Sequence, residues 1–190
     1  LKMNSLLDPP CIRALYRASQ AGVKVELNVR GICALRPGVP DVSENIRVVS
    51  VVGRFLEHSR IFAFRRGNDV NVYMGSADLM PRNLDTRVEL VAPVLQTEPR
   101  AELLDTLERS LADNTNSWEL RSDGCWGRIH RGEGDPQRRR PLRAARHLVG
   151  SEAELLHHVE RRERVEVPHP VVLRQARLRR EAEAGVYGRP

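Results

Sequence analysis

The segment EHSR at residues 57–60 combines side chains that could act on a phosphoryl group. Alternate residues of an extended chain lie on the same face, so His58 and Arg60 are expected side by side. Imidazole can attack phosphorus or donate a proton near neutral pH, and arginine binds phosphate oxygens through two parallel hydrogen bonds. The pair therefore predicts a phosphoryl site. The alternative is a histidine at a strand start that has no chemical role.

The segment GSAD at residues 75–78 is expected next to this pair. If a hairpin turns at residues 67–68, the numbers of residues that face each other sum to about 135. The facing pairs would then be Arg60 with Gly75, Ser59 with Ser76, and Glu57 with Asp78. On this ground Ser76 joins Arg60 as a candidate phosphate-binding residue.

Two further cations, Arg30 and Lys2, are candidates for binding phosphate. Arg30 ends a predicted strand just before Gly31, and ligands of α/β sheets bind at the carboxyl ends of strands. A solvated arginine at a loop edge is the alternative. Lys2 shares a face with Asn4 in a predicted opening strand, whose place in the fold the spacing alone does not define.

These side chains require a sheet that brings strand ends together, and the sequence predicts one. Asp8 followed by two prolines predicts a helix start, and Gly22 predicts its end. Apolar patterns predict strands at 23–29, 46–52, 58–65, 70–74 and 86–94, and a last hairpin at 117–120 and 125–129. Leucines at helical spacing predict a helix at 98–113. The order of these elements predicts a mixed α/β domain at residues 1–130.

Charge separates this domain from the rest of the chain. The 190 residues carry 31 basic and 25 acidic side chains, a net charge of +6. Residues 1–127 hold 16 of each sign, so the surplus belongs to 128–190, with 15 arginines against nine acids. We expect residues 131–190 to be an arginine-rich linker and tail, with a linker at 132–141, helices at 151–162 and 171–184, and irregular or disordered stretches.

Hydropathy and cysteine content limit the cellular locations expected for the protein. No run of eighteen apolar residues occurs, which excludes a transmembrane helix. Three cysteines fit neither a disulfide framework nor a zinc pair, so a cytoplasmic location is expected, with peripheral membrane association left open. Because Leu1 opens directly into patterned sequence, we expect the chain to be the later part of a longer protein.

Six motifs follow one another along the first 85 residues. They are KMNSL at 2–6, ALYRASQAGVK at 14–24, VRGIC at 29–33 with LRPGV at 35–39, SENIRV at 43–48, GRFLEHSRI at 53–61, and GSADLMPRNLD at 75–85. Together they strongly resemble the C-terminal catalytic domain of bacterial polyphosphate kinases. The resemblance covers about residues 1–95 in motifs and extends to about residue 130 in architecture.

The resemblance implies a phospholipase D-like half-domain, a mixed sheet with flanking helices, whose active site is built from two similar halves. It implies that Arg30 and His58 contact the nucleotide phosphates, with His58 as the second active-site histidine. The nucleophilic histidine of the family belongs to the preceding domain. The implied reaction moves the terminal phosphate of ATP reversibly onto polyphosphate, with Mg²⁺ and through phosphohistidine. Lys2, Arg60 and Ser76 are added on geometric grounds.

The implied partners are ATP or ADP, polyphosphate, upstream domains of the same enzyme and further copies of the chain. No specific nucleic acid is expected. We expect the isolated chain to lack full kinase activity while retaining weak nucleotide binding.

Two alternatives remain open at this point. A phospholipase D-type phosphodiesterase or nuclease half-site would show His-x-Lys with an aspartate five positions later, but Arg60 and Arg65 occupy those positions. A non-enzymatic module that binds RNA or another polyanion would use the basic tail. Tyr187 is the only aromatic residue of that tail, which disfavours base stacking.

Overall fold

Short apolar stretches between turn-rich loops form one mixed sheet with a long helix on each face. The computed structural model describes residues 1–130. The strands are β1 Lys2–Met3, β2 Val25–Val29, β3 Ile46–Val51, β4 Arg60–Arg66, β5 Asp69–Gly75, β6 Val91–Pro93, β7 Ser117–Leu120 and β8 Trp126–Arg128. The helices are α1 Pro9–Gln20 and α2 Thr97–Leu111, with a π-helical turn at Arg82–Thr86. The predicted mixed α/β class is confirmed.

Strand directions bring several chain ends to one edge of the sheet. The strand order is β6-β5-β4-β1-β2-β3-β7-β8. β1, β2 and β3 are parallel, whereas β4, β5 and β6 and the pair β7 and β8 join by antiparallel pairing. As a result β1, β2, β3 and β5 end at the same edge at which β4 begins. We call this the carboxyl edge.

The centre of the sheet is its shortest strand. β1 pairs in parallel with β2, with Lys2 opposite Asn28 and Met3 opposite Val29. On its other side it pairs antiparallel with β4, with Lys2 opposite Ile61. β1 therefore joins β4, β5 and β6 to β2, β3, β7 and β8, and Leu6 extends this junction by bridging Cys33 on one side and Leu79 on the other.

The first helix begins and ends where the sequence predicts. The Asp8 carboxylate accepts a hydrogen bond from the backbone N–H of Cys11 at 2.9 Å, which caps the first turn. Pro9 and Pro10 occupy that turn, where a missing N–H costs nothing. Gly22 follows with a φ of +79°, a conformation that glycine adopts without strain.

Each helix covers one face of the sheet. Ile61 and Phe62 are neighbours in β4 and therefore point to opposite faces. Phe62 belongs to the buried cluster that includes Ile12 of α1, whereas Ile61 packs with Leu103 of α2. The two clusters therefore pack against opposite faces of the sheet that carries the carboxyl edge.

The β4–β5 hairpin has the predicted register. Arg60 pairs with Gly75 and Arg66 with Asp69, so facing residue numbers sum to 135 along the whole ladder. Gly67 takes a φ of +60° in the turn. The strand begins at Arg60, two residues later than predicted, so His58 lies in the segment just before it.

The predicted strand at 86–94 is wrong over most of its length. The chain forms the π-helical turn Arg82–Thr86 and then an irregular stretch, and only Val91–Pro93 is β-strand. The alternating pattern misleads because its apolar members point outward, with Val88 66% and Leu90 40% exposed, while Glu89 is buried.

The predicted linker at 132–141, the helices at 151–162 and 171–184, and the basic tail lie outside the described residues. Within residues 1–130, neither helix has the length and apolar content that crossing a bilayer requires.

Candidate functional site

The carboxyl edge and the segments that adjoin it hold all of the side chains predicted for the site, namely Lys2, Arg30, His58, Arg60 and Ser76. Arg30 directly follows β2, and His58 lies just before β4. Only β1 separates β2 from β4, so the backbones that carry these two residues lie about 10 Å apart, at about 4.8 Å per strand. A single extended phosphate ligand could therefore contact both.

Arg60 is buried and makes its contacts within the protein. Its side chain forms a side-on pair with Asp78, from Nε to Oδ1 at 3.2 Å and from Nη2 to Oδ2 at 3.1 Å. Its Nη1 contacts the backbone oxygen of His58 at 2.8 Å and the ring Nδ1 of His58 at 2.6 Å. Four of the five N–H donors of the guanidinium are thus engaged.

Lys2 is also buried and engaged. Its Nζ donates to Ser59 Oγ at 2.7 Å and to the Ser59 carbonyl oxygen at 3.4 Å, and it lies 3.0 Å from Glu57 Oε2. An ammonium group has three N–H donors, so all three have partners. Lys2 therefore ties β1 to the segment on either side of His58.

Ser76 belongs to a small polar cluster behind the loop that follows β5. Its hydroxyl donates to Glu89 Oε2 and accepts from the backbone N–H of Leu90 at 3.1 Å. The other oxygen of Glu89 accepts from Asn83 Nδ2 at 2.7 Å. The buried Asn83 Oδ1 has no hydrogen-bond partner among the described residues.

Arg30 differs from these residues because its guanidinium has no partner among residues 1–130. Its backbone N–H donates to the Met3 carbonyl at 3.2 Å, and its own carbonyl accepts from Ser50 Oγ at 2.9 Å. Within residues 1–130, no hydrogen bond or ion pair engages its side chain. The half-buried Arg30 lines a narrow crevice together with Lys2 and Glu57. The backbone of Arg30 is therefore held in place by hydrogen bonds, while its guanidinium remains able to bind a ligand.

Gly31 allows this arrangement. A Cβ at this position would lie 3.0 Å from the backbone oxygen of Asn4, which is tighter than ordinary contact allows. The same oxygen accepts a hydrogen bond from the Gly31 N–H at 2.8 Å. The close approach holds the chain after β2 against the end of β1.

The sequence identified the cations of this edge but not the carboxylates that bind them. The predicted register placed the segment that contains Asp78 next to His58. In the structure Arg60 connects the two, because it contacts both the Asp78 carboxylate and the His58 ring. Glu57 forms its ion pair with Lys2. The hairpin register was the signal that could have indicated the partner of Arg60. No sequence signal indicated Glu89, because the predicted strand would bury Val88 and Leu90 and leave Glu89 on the solvent face.

Two partly buried thiols, Cys11 and Cys33, have raised pKa values. Burial, reinforced by the neighbouring Asp8, raises the pKa of Cys11 to about 12. Burial also raises the pKa of Cys33, although a backbone contact with Leu35 opposes this. Both thiols therefore stay protonated near neutral pH and are poor nucleophiles.

Fold and edge together define a mixed α/β domain that presents an arginine without a side-chain partner in residues 1–130 after β2, and a histidine just before β4, at one edge of the sheet. The family model described as polyphosphate kinase C-terminal domain 2 matches residues 1–140. The chain belongs to this family.

Individual relatives agree with the family. The chain is 61% identical over 125 residues to a polyphosphate kinase of Synechocystis sp., covering 66% of this chain and 17% of the relative. It is 53% identical over 149 residues to a polyphosphate kinase of Streptomyces coelicolor, covering 78% of this chain and 19% of the relative. The chain thus spans less than a fifth of the length of these two relatives.

A solved structure has the same fold. The crystal structure of a polyphosphate kinase from Porphyromonas gingivalis superposes with a TM-score of 0.68 at 43% identity, covering 81% of this chain and 24% of that chain. Because these relatives are named polyphosphate kinases, neither the phosphodiesterase nor the polyanion-binding alternative gains support from them.

Proposed function

We propose that this chain is the nucleotide-binding part of a polyphosphate kinase, which transfers the terminal phosphate of ATP reversibly to polyphosphate through a phosphohistidine. The observation that carries the proposal is the position of Arg30 and the exposed His58 at one edge of the sheet, two strand positions apart, with the Arg30 guanidinium unpaired within residues 1–130. Identities of 53–61% to proteins named polyphosphate kinase support the same reaction.

The proposed roles follow from the chemistry of each side chain. Arg30 binds phosphate oxygens of the nucleotide through its planar fork, which can form two parallel hydrogen bonds. His58 contacts the phosphoryl group from the other side of β1. Phosphoryl transfer depends chiefly on positioning and on stabilising charge, which the cation of Arg30 and the oriented imidazole of His58 provide. Lys2 and Arg60 align the segment that carries His58, and the exposed Ser76 lies at the same edge.

The proposal includes the architecture that the family resemblance implies. The sheet would be one phospholipase D-like half, residues 1–130 would form the catalytic domain, and residues 131–190 the arginine-rich tail. The phosphohistidine would lie in a preceding domain, which makes upstream domains partners of this chain. Assembly with further copies and a cytoplasmic location remain predictions.

The described residues do not form a cage for Mg²⁺. The three carboxylates nearest to the carboxyl edge, Glu57, Asp78 and Glu89, already accept hydrogen bonds or ion pairs from protein side chains. Residues 1–130 contain no cluster of three or more His, Cys, Asp and Glu residues able to hold a metal. Mg²⁺ commonly binds through substrate phosphates, and we assign no step to it.

Nucleotide binding by the purified chain tests the role of Arg30. We expect weak binding of ATP and ADP in isothermal titration calorimetry. Replacing Arg30 by methionine removes charged hydrogen bonds worth about 1.5–3 kcal/mol, a loss of roughly 10- to 150-fold in affinity. The matched control is Arg66→Met, because Arg66 is exposed at the far end of β4. Equal losses in both variants would refute the assignment.

Synthesis of polyphosphate tests the proposed division of the active site. The chain alone should not convert ATP into polyphosphate at a robust rate. A chimera in which residues 1–125 replace the aligned segment of the Synechocystis polyphosphate kinase should be active, and Arg30→Met should abolish that activity. Robust turnover by the isolated chain would contradict the proposal, as would an inactive but folded chimera.

A further inference from the structure

We propose that Arg60 and Asp78 are positioning residues that hold the neutral ring of His58 as the Nε2–H tautomer. The contact that His58 would make with phosphate rests on the proposed function, whereas the tautomer does not. Arg60 Nη1 lies 2.6 Å from His58 Nδ1.

This contact determines where the ring carries its proton. A guanidinium has five N–H donors and no acceptor, so Arg60 can only donate to His58. Nδ1 must therefore be the unprotonated, accepting nitrogen. In a neutral imidazole the other nitrogen then carries the hydrogen. The second bond from the same Nη1, to the backbone oxygen of His58 at 2.8 Å, fixes the ring relative to its own main chain.

Arg60 can impose this arrangement because Asp78 holds it from the opposite side. The side-on pair between them fixes the plane of the guanidinium, and both residues are only 7% exposed. Asp78 Oδ1 also accepts from the backbone N–H of Asn4 at 2.8 Å. The connection therefore runs from the end of β1 through Asp78 and Arg60 to the ring of His58.

The burial of this pair indicates that it does more than stabilise the fold. Buried ion pairs lose so much hydration energy that well-packed apolar residues often stabilise a protein equally well. A pair that also orients an exposed imidazole provides something that apolar residues cannot. With Nδ1 engaged, Nε2 is the nitrogen left to a ligand, and it presents a hydrogen instead of a lone pair. At this edge His58 would therefore donate a hydrogen bond to a phosphoryl oxygen and would not accept the phosphoryl group through Nε2.

Nitrogen NMR of the 190-residue chain tests the tautomer directly. In ¹⁵N-labelled protein near pH 8, the chemical shifts of Nδ1 and Nε2 report which nitrogen is protonated. A His58→Gln spectrum assigns the signals among the six histidines. We expect an unprotonated Nδ1 with a scalar coupling to Arg60 Nη1 across the hydrogen bond. The Arg66→Met control should give the same result, because this arginine is exposed on the same strand.

Variants of the pair separate positioning from a merely structural role. Arg60→Met should abolish the coupling and allow the ring to exchange between tautomers, whereas Arg60→Lys should restore an accepting Nδ1 in part. Because Arg60→Met leaves Asp78 buried without its partner, the double variant Arg60→Met, Asp78→Asn provides the same comparison without the unpaired charge. A protonated Nδ1 in the wild type, or Nδ1 and Nε2 chemical shifts of the folded double variant that equal those of the wild type, would overturn the proposal.

Addition of ADP separates this proposal from the proposed function. If the tautomer is as expected but saturating ADP leaves Nε2 unshifted, the positioning role stands and the nucleotide-binding role of His58 fails. If ADP shifts the ring signals of a His58 whose Nδ1 is protonated, nucleotide binding stands and the positioning proposal is overturned.

Discussion

Replacing Asp78 with alanine removes the carboxylate that pairs with the buried Arg60. Two N–H···O bonds, at 3.2 and 3.1 Å, are lost, and the backbone N–H of Asn4 loses its acceptor. Because Arg60 is only 7% exposed, water cannot readily replace the carboxylate. Breaking a buried pair in this way costs about 3–5 kcal/mol, since a charge is left without compensation. That loss is a large share of the 5–15 kcal/mol typical of a folded domain.

Urea denaturation followed by circular dichroism measures this cost. With a denaturant slope of about 2 kcal/mol per molar, a loss of about 4 kcal/mol moves the midpoint by about 2 M. The matched control is Asp105→Ala, which breaks the exposed pair between Asp105 and Arg109 at 2.6 Å on one face of α2. That pair is worth about 0.3–0.5 kcal/mol.

The double variant Arg60→Met, Asp78→Ala completes the experiment. It removes both charges, so it should be more stable than Asp78→Ala alone. The reasoning fails if Asp78→Ala costs no more than the surface control. It also fails if the double variant is as unstable as the sum of the two single changes, because the two residues would then not be coupled.

Further predictions concern the backbone, the helix cap and the thiols. Gly31→Ala should lower the free energy of unfolding by about 1–3 kcal/mol, because its Cβ would lie 3.0 Å from a backbone oxygen, as denaturation can measure. Asp8→Ala should cost about 1 kcal/mol through loss of the cap of α1, measured in the same way. At pH 8, mass spectrometry after brief alkylation should find the exposed Cys125 modified before Cys11, whose thiol has a pKa raised to about 12. The raised pKa favours the protonated thiol in the folded state, so the stability advantage of wild type over Cys11→Ala should fall between pH 9.0 and about 12.

Each of these predictions has a control or a contrary outcome. Gly53→Ala should be nearly neutral because no atom lies within 4 Å of its Cβ position, and an equal cost at both glycines would contradict the steric argument. An unchanged stability of Asp8→Ala would mean that the cap contributes nothing. Equal alkylation rates at Cys11 and Cys125 would argue against burial of the first thiol, and a constant advantage over Cys11→Ala up to pH 12 would argue against its raised pKa.

Local signals predicted the parts of the fold that depend on neighbouring residues. The helix α1 is set by Asp8, two prolines and Gly22, all within a few residues of its ends. The β4–β5 register follows from the tight turn at Gly67, which fixes the facing pairs once its position is known.

Non-local contacts decided the parts that the sequence did not predict. Glu89 lies within an alternating pattern that suggests a strand, yet its carboxylate binds Asn83 and Ser76 from other segments. These bonds draw the polar residue inward and leave Val88 and Leu90 exposed, the reverse of the predicted face. The partners of Lys2 likewise come from a segment more than fifty residues away, which spacing alone cannot reveal.

The central strand β1 is the strand that connects the two halves of the sheet, through its pairing with β2 on one side and β4 on the other. Native proteins open in cooperative units, and amide hydrogen exchange reports the free energy of each opening. An opening of β1 together with the two bridges of Leu6 would part β2 from β4 while both outer groups of strands keep their own hydrogen bonds. Arg30 and His58 lie on opposite sides of β1, so such an opening would separate them. The spacing of the proposed phosphate contacts therefore depends on the pairing of β1 and on the bridges from Leu6 to Cys33 and Leu79.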